Sequence, residues 1–145
     1  MARANDITLK LRTDPRLLCA VRALVRQYFS DARFEEARVD ELVLAVDEAC
    51  TNCIRHAYGG RTDRSMTLRL DAADGWIEVC VTDQGAPAPP EAVRRKRPRA
   101  PNPDKLEPHG LGVQLMYRVF DEVAFAQGKG KGNTITMRVK QPRAK

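Results

Sequence analysis

Ile7, Leu9 and Leu11 alternate with Thr8, Lys10 and Arg12. A period of two puts one set on a buried face and the other in water, so the chain opens on a half-buried strand. Thr13-Asp14-Pro15 then reads as a helix start, since proline suits a first turn whose N–H groups have no helical partner. Leu17, Val21, Leu24 and Tyr28 recur at three- and four-residue steps, with Leu18, Val25 and Phe29 beside them, which predicts an amphipathic helix. A second helix is predicted over 39–57. Its core face is Leu42, Val46, Ala49, Cys50 and Cys53, and Glu41, Glu48 and Asn52 form a polar stripe at the edge of that face. Tyr58-Gly59-Gly60 ends it.

Two strands follow. Met66, Leu68 and Leu70 alternate with polar residues, and Ala73-Asp74-Gly75 signals a hairpin turn. Residues 76–81 are apolar on both faces except at Glu78, the pattern of a central strand. Residues 87–108 carry many prolines and charges with no sustained period, apart from a short helical stretch at 91–96. A loop of that length inside a compact domain is usually functional, so a basic lid is expected there. Leu111, Leu115, Met116 and Val119 predict a third helix, Val123 and Phe125 a strand, and Ile135, Met137 and Val139 a last strand after a glycine-rich turn. The order predicts an α/β two-layer sandwich, with a mixed, largely antiparallel sheet and helices on one face.

At 145 residues the chain is expected to form a single domain over 1–145, with a flexible tail from Lys140. No N-terminal apolar segment and no run long enough to span a bilayer is present, which points to a cytoplasmic protein with no membrane partner. The formal net charge is +6, much of it in Arg94–Arg99 and in the tail. Few aromatics accompany those charges and no nucleic-acid motif appears, which argues against direct nucleic-acid binding. Cys50-Thr51-Asn52-Cys53 has the C-x-x-C form, but both thiols fall on the apolar side of the predicted helix. No second pair supplies further zinc ligands, so buried reduced thiols are the expected reading.

The polar residues that interrupt these patterns carry the chemistry. Glu48 and Asn52 are four residues apart and share a helical face. Asp83-Gln84-Gly85 follows a strand, and Gly110-Leu111-Gly112 opens a helix. An aspartate at a strand end accepts from the 6-amino group of adenine, and GTP, with oxygen there, is selected against. Gly85 lets the backbone pass close to a base. A helix N-terminus built on glycines suits phosphate. Asn52 offers magnesium a neutral oxygen, and Glu48 is placed to take a proton from an attacking hydroxyl. A dinucleotide reading fails, because Leu115 stands where a third glycine would fall and no strand immediately precedes the motif.

At these residues the sequence resembles the ATPase superfamily that includes gyrase, sensor histidine kinases and mismatch-repair ATPases, and within it the small bacterial anti-sigma-factor serine/threonine protein kinases. Residues 42–58 are similar to that family's N-box, Val81–Gly85 to its first glycine box, Gly110–Met116 to its second, and Gly132–Met137 to its final strand. The likeness covers nearly the whole chain. It departs at Ala86 and Pro87, where superfamily boxes often carry another glycine, and at His109, often glycine.

The resemblance implies a helix layer on a mixed sheet, ATP and Mg2+ as cofactors, and frequent homodimers. It implies binding of a sigma factor, and binding and phosphorylation of an anti-anti-sigma antagonist protein. By position, Glu48 would be the base and Asn52 the magnesium ligand. Asp83 and Gly85 would form the adenine side, and His109, Gly110, Leu111 and Gly112 the phosphate side, with His109 either at phosphate or at the lid hinge. Thr134 would contact the adenine side through water. The competing reading is a catalytically silent, nucleotide-dependent module that sequesters a regulatory partner.

Overall fold

A computed structural model of the chain describes residues 4–85, 108–127 and 132–143, with the side chains of residues 4–6 and 108–111 excepted. The predicted lid, save its last residue, and the basic Arg94–Arg99 run lie outside the described residues. Strand β1 (Ala4–Arg12) leads through a 3-10 turn (Pro15–Leu17) into α1 (Leu18–Asp31). Helix α2 (Glu36–Asn52) continues as a single π-turn, Cys53–Ala57. Strands β2 (Ser65–Ala73) and β3 (Trp76–Asp83) follow, then α3 (Pro108–Val119), β4 (Glu122–Gln127) and β5 (Asn133–Lys140).

The five strands lie in the order β1-β2-β3-β5-β4, and every described pair is antiparallel. The sheet is thus antiparallel throughout, tighter than the mixed sheet expected, and β3 is central. The two-residue hairpin between β2 and β3 demands antiparallel neighbours there. Asp74 and Gly75 form such a turn, both with positive φ (55° and 82°), the type I′ geometry that matches strand twist.

Helix α2 lies between α1 and α3, and all three cover one face of the sheet. Leu42, Val46, Ala49 and Cys50 of α2 meet Leu68 and Leu70 of β2, Val79 of β3 and Met137 of β5 in one core. Along α1 the buried line is Leu18, Val21, Val25 and Phe29, while Leu17 is exposed. Leu17 sits in the 3-10 turn, whose three residues per turn rotate it off the α-helical stripe. Helix α2 starts earlier than predicted, at Glu36. The tail is fastened at its root: Lys140 is the last residue of β5, its N–H bonds Asp121 Oδ2 at 2.8 Å, and the Gln141 N–H bonds the Gly75 carbonyl at 2.9 Å.

Candidate functional site

Helix α2 carries Glu48 and Asn52 one turn apart, both half-buried. Helix α3 begins at Pro108, so His109, Gly110 and Leu111 form its first turn and Gly112 the next position. Gly112 is pressed against Glu48: a Cβ at Gly112 would stand 2.6 Å from Glu48 Oε2. The crowded atom is the end of a flexible side chain, so a larger residue at Gly112 would push the Glu48 carboxylate aside, and the base carboxylate expected at Glu48 sits beside the first turns of α3. The positive end of the helix dipole lies there, and it favours negative charge.

After Asn52 the helix widens into the π-turn, a device that recurs at functional sites. The chain then stops at Tyr58, Gly59 (φ 59°) and Gly60 (φ 82°), where the Gly60 N–H returns to the Ile54 carbonyl at 2.9 Å. The π-turn brings Cys53 and Ala57 to the end of β3. Gly85 packs so closely on Ala57 that a Cβ there would overlap the Ala57 carbonyl. His56, on the same turn, is exposed.

Asp83 occupies a core-facing position of β3, in step with Ile77, Val79 and Val81, and is 6% exposed. A buried carboxylate needs donors. Its Oδ1 accepts from the Gly85 N–H at 2.9 Å and from Asn133 Nδ2 at 2.9 Å, and the Cys53 thiol lies close by. Gly132, at φ 106°, has no room for a side chain, because a Cβ there would overlap the Asp83 carbonyl. An ionised carboxylate accepts at about four positions. The Gly85 and Asn133 donors both fall on Oδ1, so Oδ2 is the oxygen left to accept, which fits a purine amino group and repels a purine oxygen. Burial pushes the Cys50 thiol up to about 12, with the nearby Asp47 carboxylate adding to it. Burial first, then the Asp83 charge, raises Cys53 further. Both are protonated free thiols packed in the core, not a redox pair.

Thr134 requires a correction. Strand β5 alternates, with Ile135, Met137 and Val139 buried under the helices, so Asn133 shares their face and Thr134 points to the other. There Thr134 Oγ1 meets Thr82 Oγ1 at 3.4 Å, across the sheet from Asp83. The residue beside Asp83 is Asn133, its register partner. Counting parity back from Ile135 would have found it. Cys53 and Tyr58 were also missed as neighbours of the Asp83 turn, because a π-turn leaves no periodic signal.

Among the described residues no group of three or more His, Cys, Asp or Glu could hold a metal by itself. The donor chemistry of Asn52 fits a hard cation held mainly by phosphates and water, with one neutral protein oxygen. No helix among the described residues is long and apolar enough to cross a membrane.

Residues 11–139 match the histidine kinase-like ATPase domain, and the chain belongs to that family. Among curated proteins it is similar to the serine-protein kinase RsbW of Bacillus velezensis, 29% identical over 127 residues, covering 86% of this chain and 79% of the relative. Among solved structures it resembles the RsbU and RsbW domains of a Mycobacterium tuberculosis protein (TM-score 0.68, 18% identity), covering 97% of this chain and 34% of that longer one. It also resembles the SiaB-SiaC complex of Pseudomonas aeruginosa (TM-score 0.67, 13% identity), covering 92% of this chain and 88% of that one. These structures share the fold. The curated relatives carry the link to serine-protein kinases.

Proposed function

We propose that this chain is an ATP-dependent serine/threonine protein kinase that phosphorylates an anti-anti-sigma antagonist and, in the alternate partnership, sequesters a sigma factor, with homodimers as the assembled form. The observation that carries the reading is the seating of Glu48 against Gly112 at the head of α3, on the same helix face as Asn52. Family membership and the RsbW relatives support it.

Asp83 reads the adenine amino group, Gly85 leaves room for the base, and the start of α3 receives the phosphates. Asn52, together with the phosphates, would hold a magnesium ion, which would supply neutralisation of phosphate charge. Glu48 takes the proton of the acceptor hydroxyl as its oxygen bonds to the γ-phosphorus. The bond to the β–γ bridging oxygen breaks and ADP leaves. Placing charge and groups accounts for most catalysis of this kind, and the base contributes ~10²–10⁴-fold.

The test is incubation of the protein with γ-labelled ATP and a candidate antagonist. Label should move to a serine or threonine of the antagonist, and Glu48→Gln should lose transfer by at least ~10²-fold while still binding ATP. Full transfer by that variant refutes Glu48 as the base. Tight capture of the antagonist with no transfer by wild type supports a silent binding module instead.

A further inference from the structure

Tyr58, the residue that closes the π-turn, is engaged at its hydroxyl on both sides. Oη accepts the backbone N–H of Gln84 at 2.7 Å and donates to the Ser65 carbonyl at 2.8 Å. Gln84 is the middle residue of the Asp83–Gly85 turn, and Ser65 opens β2. At Asp83 the strand ladder ends: its register partners are Met66 on one side and Asn133 on the other, with no pair beyond. The Gln84 N–H therefore has no ladder acceptor, and the phenol supplies one. Neighbouring residues are held as well. Asp83 is bound by Asn133 and lies beside Cys53, and Gly85 is held by the Asp83 carboxylate and by contact with Ala57. Of these contacts, Cys53, Ala57 and Tyr58 all come from the stretch directly after Asn52.

We propose that Tyr58 is a positioning residue for base recognition: its hydroxyl fixes the peptide joining Asp83 to Gln84, and so sets the direction in which Asp83 presents its other carboxylate oxygen, Oδ2, to a purine amino group. The inference rests on reading Asp83 as that acceptor. Tyr58 acts through Asp83 and does not itself touch nucleotide. A phenol suits the task. Its ring packs against the core, and its oxygen both accepts and donates. Burial raises the Tyr58 hydroxyl above its usual range, so it keeps the proton it gives to Ser65. Gln84 is exposed, so without the hydroxyl its N–H can turn to water. Loss of the bond then loosens the turn without unfolding the domain.

The experiment uses Tyr58→Phe in the full chain, which keeps the ring and removes only the oxygen. Affinities for Mg-ATP, Mg-GTP and inorganic tripolyphosphate are measured by calorimetry beside a thermal scan. A lost hydrogen bond of ordinary strength corresponds to roughly 3–10-fold. ATP binding should weaken by that factor and the ATP-over-GTP preference should shrink with it, while tripolyphosphate, which has no base, should bind as to wild type. A variant that melts lower yet keeps wild-type ATP affinity and preference overturns the inference and leaves Tyr58 a structural residue. In an Asp83→Asn background, Tyr58→Phe should add nothing, and fully additive losses overturn the inference too. A wild-type protein with no preference for ATP removes the underlying reading and this inference together, and that result is read before any variant is made.

Discussion

Strand β3 has an aspartate–glycine turn at each end. Asp74–Gly75 opens it and Asp83–Gln84–Gly85 closes it, and the residue types are nearly the same. At the first, both residues are exposed, and a Cβ on Gly75 would meet nothing within 4 Å. Its glycine serves a positive φ. At the second, the aspartate is buried, its Oδ1 takes two donors, and its glycine is wedged on the Ala57 backbone. One glycine is there for its backbone angles, the other for its missing side chain. What separates a turn from a candidate site is crowding and polar satisfaction, not composition.

The sharpest break of that comparison is Gly85→Ala. The new methyl would have to displace backbone, so the Asp83 turn should shift. Nucleotide binding should fall below detection, with a stability loss of about 1–3 kcal/mol, measured by calorimetry and denaturant unfolding. Wild-type binding in that variant would show that the close packing on Ala57 is dispensable.

Raising the pH comes next, because the helix segment beside Asp83 carries two buried thiols. Unfolded thiols titrate near 9.0, whereas burial holds Cys50 at about 12 and raises Cys53 as well. Between those values the unfolded chain has lost protons that the folded chain keeps, so stability falls as pH rises. The expected slope is about 1.4 kcal/mol per pH unit for each thiol, with no thiol contribution to pH dependence below about pH 8. Cys50→Ala should make the alkaline limb of a Tm-against-pH curve shallower, and an unchanged limb would count against these thiols as its source.

Asp83→Asn puts an amide where the acceptor stood. Loss of a charge-assisted bond of about 1.5–3 kcal/mol predicts ATP binding roughly 10–100-fold weaker in a titration. At the other end of β3 the effects should be smaller and purely structural. Gly75→Ala strains a left-handed residue by about 1 kcal/mol, visible in the melting temperature. Nucleotide affinity should not change, and a loss there would mean the two ends of β3 are coupled.

The regular layers were legible because each obeys one period. Alternation gave β1, β2 and β5, and the three- and four-residue stripe gave the core face of α2; these faces are buried as read except on the edge strand β1, where Ile7, Leu9 and Leu11 are half-buried. Glu36–Arg38 was not legible as helix, since these residues add no apolar repeat before Val39. The antiparallel character of every pair was only partly visible, because β5 inserts between β3 and β4 and no local pattern announces that. Around the candidate site, Glu48 and Asn52 were placed by helical spacing and Gly112 by its helix-opening context. Their contacts were not. The meeting of Gly112 with Glu48 is tertiary, the π-turn carries one extra residue that no hydrophobic repeat reveals, and the Tyr58 bond spans 26 residues. Thr134 was misplaced for a simpler reason: its strand parity was not applied.

That parity also has a genetic consequence. Strand β5 is gripped by β3 over Asn133–Lys140 and by β4 over Asn133–Arg138. A codon inserted ahead of Gly132 leaves Asn133 opposite Asp83. A codon inserted between Asn133 and Ile135 turns the strand's leading residues over, carrying the amide to the far side of the sheet and setting a different residue under the carboxylate. In-frame insertions a few bases apart should therefore divide into neutral alleles and null ones, with the border at Gly132.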